Sequence, residues 1–208
     1  MSDEKESSTN GRVAPSLRSA GTPLALTVSA PGEMRELGRR LASVLTAGDL
    51  VILSGGLGAG KTTLTQGIGD GLGVRGPITS PTFVIARVHP PLAAPAAGGN
   101  DAAGRGPALV HADAYRLGSV LELDDLDLDT DTASSVTVVE WGEGLAEGLS
   151  EDRLEITIAP VAGTGGDGDA DWDAEGAAAD QPRTVRISAV GERWEGVELP
   201  LLGLADRL

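Results

Sequence analysis

The chain has no cysteine, which excludes a disulfide framework, a thiolate metal site and a cysteine nucleophile. Aromatic residues are almost absent too. With Phe83 and Tyr115 as single copies and an aromatic fraction of 2%, the core must be built mainly from Leu, Val, Ile and Ala. No apolar run approaches the roughly 20 residues of a membrane span, and the Met1 end is polar and charged. The expectation is a cytoplasmic protein without membrane contact. Positive charge is the third shortage: 16 basic residues stand against 31 acidic ones, for a formal net charge of -15. Unaided binding to nucleic acid is driven by basic side chains displacing counterions from phosphates, so any contact with RNA should run through a partner. Among the basic residues, Lys5 and Lys61 are the two lysines. A lysine kept where Arg is the habitual cation marks a position that needs a compact point charge on a flexible stem.

A length of 208 residues suits one domain with appendages. Residues 1–22 are polar and lack apolar periodicity, so they read as a disordered tail, with 23–200 as the domain and 201–208 as a second tail. Low-complexity insertions are expected at about 90–107 and 160–182. Strands are predicted at 24–30, 49–54, 82–88, 108–113, 136–141, 153–159 and 183–190, the last two as an antiparallel pair at the sheet edge. Pro31 suits a first helical turn, and Met34, Leu37, Leu41, Val44 and Leu45 share a helical face before Gly48. A second helix follows from Leu64, Ile68 and Leu72, although Gly67, Gly69 and Gly71 each cost it about 1 kcal/mol relative to Ala. The acid-rich stretch 121–131 reads as a short amphipathic segment with a solvated face.

The segment Gly55-Gly56-Leu57-Gly58-Ala59-Gly60-Lys61-Thr62 fits G-x-x-x-x-G-K-[ST] between an unbroken apolar strand and a helix, the context this motif requires. Its glycines allow backbone N–H groups to converge on phosphate oxygens, and the helix N-terminus adds its dipole. Lys61 would reach the β and γ phosphates and the Thr62 hydroxyl a Mg2+ position, with Thr63 completing the nucleotide-binding set. Gly71, Gly73 and Gly76 also spell G-x-G-x-x-G, but after a helix rather than a strand, so they read as a C-cap and loop. Hydrolases with this loop need an acid at the end of a neighbouring strand. Asp113 ends ALVHAD and Glu140 ends VTVVE. Scarce residue types gather in these segments, namely His111, Tyr115 and Trp141.

GLGAGKTTLTQGIGDGLG, SPTFVIARV, HADAYRL and VVEWGEGL together resemble the TsaE (YjeE) P-loop ATPases, over roughly residues 32–159. The resemblance implies an α/β P-loop NTPase fold, a mainly parallel sheet flanked by helices with a small antiparallel addition near the C-terminus. It implies ATP and Mg2+ as cofactors, slow hydrolysis alone, and a role in making threonylcarbamoyl-adenosine on tRNA beside the TsaB and TsaD proteins. Carried onto this chain, it makes Lys61 and Glu140 the catalytic residues and Thr62, Asp113 and Glu140 the metal-site residues. Ser80 to Phe83 become a nucleotide-sensing loop, with Tyr115, Arg116 and Trp141 beside it. The family usually has Asp where this chain has Gly56, so no role for that carboxylate carries over. Two alternatives stand beside this reading: a small-molecule kinase using the same loop, and a nucleotide-gated adaptor that hydrolyses little. No guanine signature is present, which favours adenine.

Overall fold

The computed structural model describes residues 23–81, 86–92, 106–116, 133–161 and 181–199. The expected tails, most of both insertions, Thr82, Phe83 and the acid-rich stretch 121–131 lie outside the described residues. The elements in chain order are β1 (Leu24–Val28), α1 (Pro31–Ala42), β2 (Leu50–Ser54), α2 (Lys61–Leu72), β3 (Ala86–His89), β4 (Ala108–Asp113), β5 (Ser135–Glu140), β6 (Arg153–Pro160) and β7 (Arg183–Val190). The strands form one seven-stranded mixed sheet in the order β1-β7-β6-β2-β5-β4-β3. β6, β2, β5 and β4 run parallel at its centre.

The expectation of a mainly parallel sheet holds for that centre alone. Antiparallel strands extend it at both ends, β7 and β1 beyond β6 and β3 beyond β4. The β6–β7 pair is therefore interior, not an edge. Its alternating pattern reported that one face is wet, and alternation carries no information about how many strands lie further out. The strand expected over 82–88 is described from Ala86 and extends to His89.

Every residue of β2 is buried, as its unbroken apolar run requires. Val51 and Leu53 join Met34, Leu37 and Leu41 of α1 and Leu64 and Ile68 of α2 in one cluster. Leu50 and Ile52 face the other way, with Val110, Ala112, Val139 and Ala146. Both α-helices of the described residues thus lie on one face, a correction to the expectation of helices on both. The opposite face is covered by the segment around Leu145, Ala146 and Leu149. No helix among the described residues is long and apolar enough to cross a membrane.

α1 ends at Ala42, earlier than Gly48, because Ser43 donates its hydroxyl to the Arg40 carbonyl (2.7 Å) and the chain turns toward Asp49. The glycines of α2 have a use that propensity does not show. A Cβ on Gly67 would collide with the Arg35 carbonyl, one on Gly38 with the Leu64 carbonyl, and one on Gly71 with Ala42. The two helices meet backbone to backbone, and the packing so gained offsets the entropic cost of glycine. Gly73, at φ 68°, is the left-handed C-cap expected at the end of α2.

Candidate functional site

Three parallel strands end side by side, since Leu53 pairs with Glu140 and Glu140 with Asp113. The glycine-rich loop leaves β2 at the same edge, where α/β sheets bind ligands. Gly55 (φ 144°), Gly58 (φ 70°) and Gly60 (φ 108°) take positive φ, and a Cβ on Gly55 would strike the Ile158 carbonyl. Gly60 is the N-cap of α2, so Lys61 and Thr62 open the first helical turn.

Lys61 is buried and turns back into the loop. Its Nζ donates to the carbonyls of Gly55 (2.8 Å) and Gly56 (2.9 Å) and sits 3.6 Å from the centroid of the Trp141 ring. Burial pushes its pKa below the usual lysine value, while the carboxylates of Glu140 and Asp113 oppose that shift. Trp141 itself has φ 59°, rare for a bulky residue, and its N–H continues the sheet by donating to the Leu53 carbonyl (2.8 Å). Tyr115 rests against it, ring centroids 5.0 Å apart. Tyr115 and Leu57 are exposed at 62% and 65%, and they form the outer rim.

Glu140 is buried between two partners. Thr62 donates its hydroxyl to Oε2 (3.1 Å), and His111 Nε2 lies 2.8 Å from Oε1. Asp113 accepts from the Ser80 hydroxyl at Oδ2 (3.0 Å) and from the Tyr115 N–H at Oδ1 (3.0 Å). Both acids and His111 point to the α2 side of the sheet, because His111 and Asp113 alternate with Val110 and Ala112, which belong to the opposite face.

Of the residues singled out from sequence, Lys61, Thr62, Glu140, Trp141 and the loop glycines are brought into one cluster. Asp113 lies one strand further out, joined to Ser80 of the expected sensing loop; Thr82 and Phe83 of that loop are outside the described residues. Among the described residues no three His, Asp or Glu side chains converge as a ready metal cage. In the sequence His111 stands out for its scarcity alone. The available signal was its position two residues before Asp113 in a strand, which puts the two on one face.

A strand, a glycine-rich turn and a helix N-terminus facing strand-end acids define an α/β protein of the architecture that nucleotide-binding proteins use. The chain belongs to the TsaE family, whose model, described as threonylcarbamoyl adenosine biosynthesis protein TsaE, matches residues 28–164. It is 55% identical over 170 residues to the tRNA threonylcarbamoyladenosine biosynthesis protein TsaE of Streptomyces coelicolor, covering 81% of this chain and 99% of that one. The protein of the same name from Bacillus subtilis is 32% identical over 166 residues, covering 79% of this chain and 85% of the relative. The crystal structure of Bacillus subtilis YdiB superposes with a TM-score of 0.56 at 29% identity, over 83% of this chain and 88% of that one.

Proposed function

We propose that the chain binds ATP with Mg2+ at the loop from Gly55 to Thr63 and hydrolyses it slowly. It does so in the formation of threonylcarbamoyl-adenosine on tRNA, with TsaB and TsaD proteins as partners. The observation that carries this reading is the Thr62 to Glu140 hydrogen bond, which sets the first turn of a glycine-capped helix against the acid of the neighbouring strand. Gly56 and Gly58 have open space where a Cβ would stand, so backbone N–H groups of the loop can approach phosphate oxygens. Lys61, held on the loop carbonyls, is the cation for the β and γ phosphates.

Thr62, Asp113 and Glu140 offer oxygen donors, the kind Mg2+ takes, and their small number fits an ion that keeps waters and shares phosphate oxygens. When bound, Mg2+ neutralises charge on the phosphates. Glu140 orients the attacking water and accepts its proton, and Asp113 holds the metal side of the site. The net charge of -15 supports a route to tRNA through a basic partner rather than by direct contact.

Phosphate release by the chain, alone and with TsaB and TsaD proteins from the same source, is the test. Slow release alone and faster release with the partners are expected. Turnover indifferent to them, or tight tRNA binding by the chain alone, removes the pathway. Glu140→Gln should slow release by about 100-fold or more, since an oriented general base contributes on that scale, while Mg-ATP binding stays largely intact because the amide keeps the shape and one oxygen donor. Asp113→Asn should instead shift the Mg2+ dependence. Identical behaviour of the two variants contradicts the division of roles.

A further inference from the structure

His111 occupies a position that packing alone would give to a hydrocarbon. Its neighbours in β4, Leu109, Val110 and Ala112, are all buried, and so is its own ring. One nitrogen, Nδ1, is buried with no hydrogen-bond partner among the described residues. An unpaired buried polar atom lowers stability, so an aliphatic side chain would serve the core better. The imidazole therefore answers to its other nitrogen. Nε2 stands 2.8 Å from Glu140 Oε1, and because a carboxylate oxygen only accepts, Nε2 carries the proton and donates.

The two oxygens of Glu140 thus have different partners, His111 on Oε1 and Thr62 on Oε2. His111 sits opposite Val138 in the β4–β5 register, two residues before the Asp113–Glu140 pair, so it reaches forward along the sheet to the acid. We propose that His111 is a positioning residue for hydrolysis: by holding Oε1 it fixes the carboxylate plane and presents Oε2 to the start of α2. This rests on the hydrolytic reading above. Thr62 is also a metal-site residue in that reading, and when its hydroxyl engages there, His111 is the side-chain anchor that Glu140 keeps.

The test compares His111→Leu, which deletes the donor, with His111→Gln, whose amide can restore one. Groups that orient a working ligand from behind typically matter by 10- to 100-fold, so kcat for phosphate release should fall by about that factor in His111→Leu. The dissociation constant for Mg-ATP should stay within about twofold, because the ring touches Glu140 and not the loop. His111→Gln should recover most of kcat. Equal slowness of both variants, or a folded His111→Leu chain with unchanged kcat, overturns the proposal. Nitrogen NMR of the nucleotide-free chain gives a readout independent of turnover, with the proton expected on Nε2; a proton on Nδ1 alone overturns it as well. Should the wild-type chain release no phosphate even with its partners, the hydrolytic reading falls and takes this role with it. Release slowed by Glu140→Gln but indifferent to His111→Leu refutes His111 alone.

Discussion

A buried charged group stands at each end of strand β2, the Asp49 carboxylate at its start and, beside Gly55 and Gly56 after its last residue, the ammonium of Lys61, and the two are held in opposite ways. Before its first residue, Asp49 accepts from the Thr46 N–H (2.7 Å), the Thr46 hydroxyl (3.3 Å) and the Arg193 guanidinium (3.1 Å). The same guanidinium group donates to the Val44 carbonyl (2.9 Å), and Arg193 stands beside the fully buried Trp194. A carboxylate, a cation and a large ring thus tie the chain's later segment to the start of the central strand. Beyond the other end, Lys61 has two neutral carbonyls and a ring face as its close partners. A buried cation on neutral partners keeps most of its charge available to an anion, whereas Asp49 has spent its own on a fixed partner. One end of the strand is closed by a charged pair, and the other holds its cation on neutral groups.

The largest break in that contrast is expected from Lys61→Ala. Loss of the one buried cation of the loop should weaken Mg-ATP binding by about 10- to 100-fold, the scale of a charge-assisted hydrogen bond to phosphate, without lowering thermal stability. Calorimetry and a melting curve read the two quantities separately. A variant that binds normally but melts early would make Lys61 a structural residue like Asp49.

Asp49→Ala should do the reverse. It leaves the Thr46 N–H without its acceptor and Arg193 without its carboxylate partner, though still bonded to the Val44 carbonyl; since Arg193 is partly exposed, the loss should be about 2 kcal/mol, below the range for a fully buried pair. Denaturant unfolding measures this, and Mg-ATP affinity should be unchanged. Weakened nucleotide binding at full stability would mean the two ends are coupled through the strand.

A smaller effect sharpens the same point. The pKa of Lys61 is lowered from 10.5 by burial, so between that lowered value and 10.5 the unfolded chain binds more protons than the folded one. Stability must then rise with pH across this window and be fully regained above 10.5. Arg does not titrate there and the chain has two lysines, so comparing wild type with Lys61→Met by unfolding at several alkaline pH values isolates the increment. A flat difference between the two chains would show that Lys61 is not held against its charge.

Much of the arrangement was legible along the chain. The unbroken LVIL run fixed a strand buried on both faces, the glycines before Lys61 fixed a turn into a helix, and Asp113 and Glu140 each closed an apolar run. All of these are local signals, written in the spacing of neighbouring residues. In the spacing of residues the glycines of α2 show only their cost, because a close approach of two helices is not local: Gly67 is required by a carbonyl of Arg35, far away in sequence.

By itself, then, the sequence determined the elements, the loop and the acids that end their strands, because periodicity, glycine and a strand's terminal residue act over a few positions. Tertiary structure alone decided which strands became neighbours. Alternation in β6 and β7 marks a buried face without naming the partner on either side, and it took the added strand β1 to move that pair inside the sheet. In the same way only the pairing of β4 with β5 brought His111 to Glu140, 29 residues apart in the chain and 2.8 Å apart in space. A hydrogen bond across strands depends on register, and register is settled by the whole core at once.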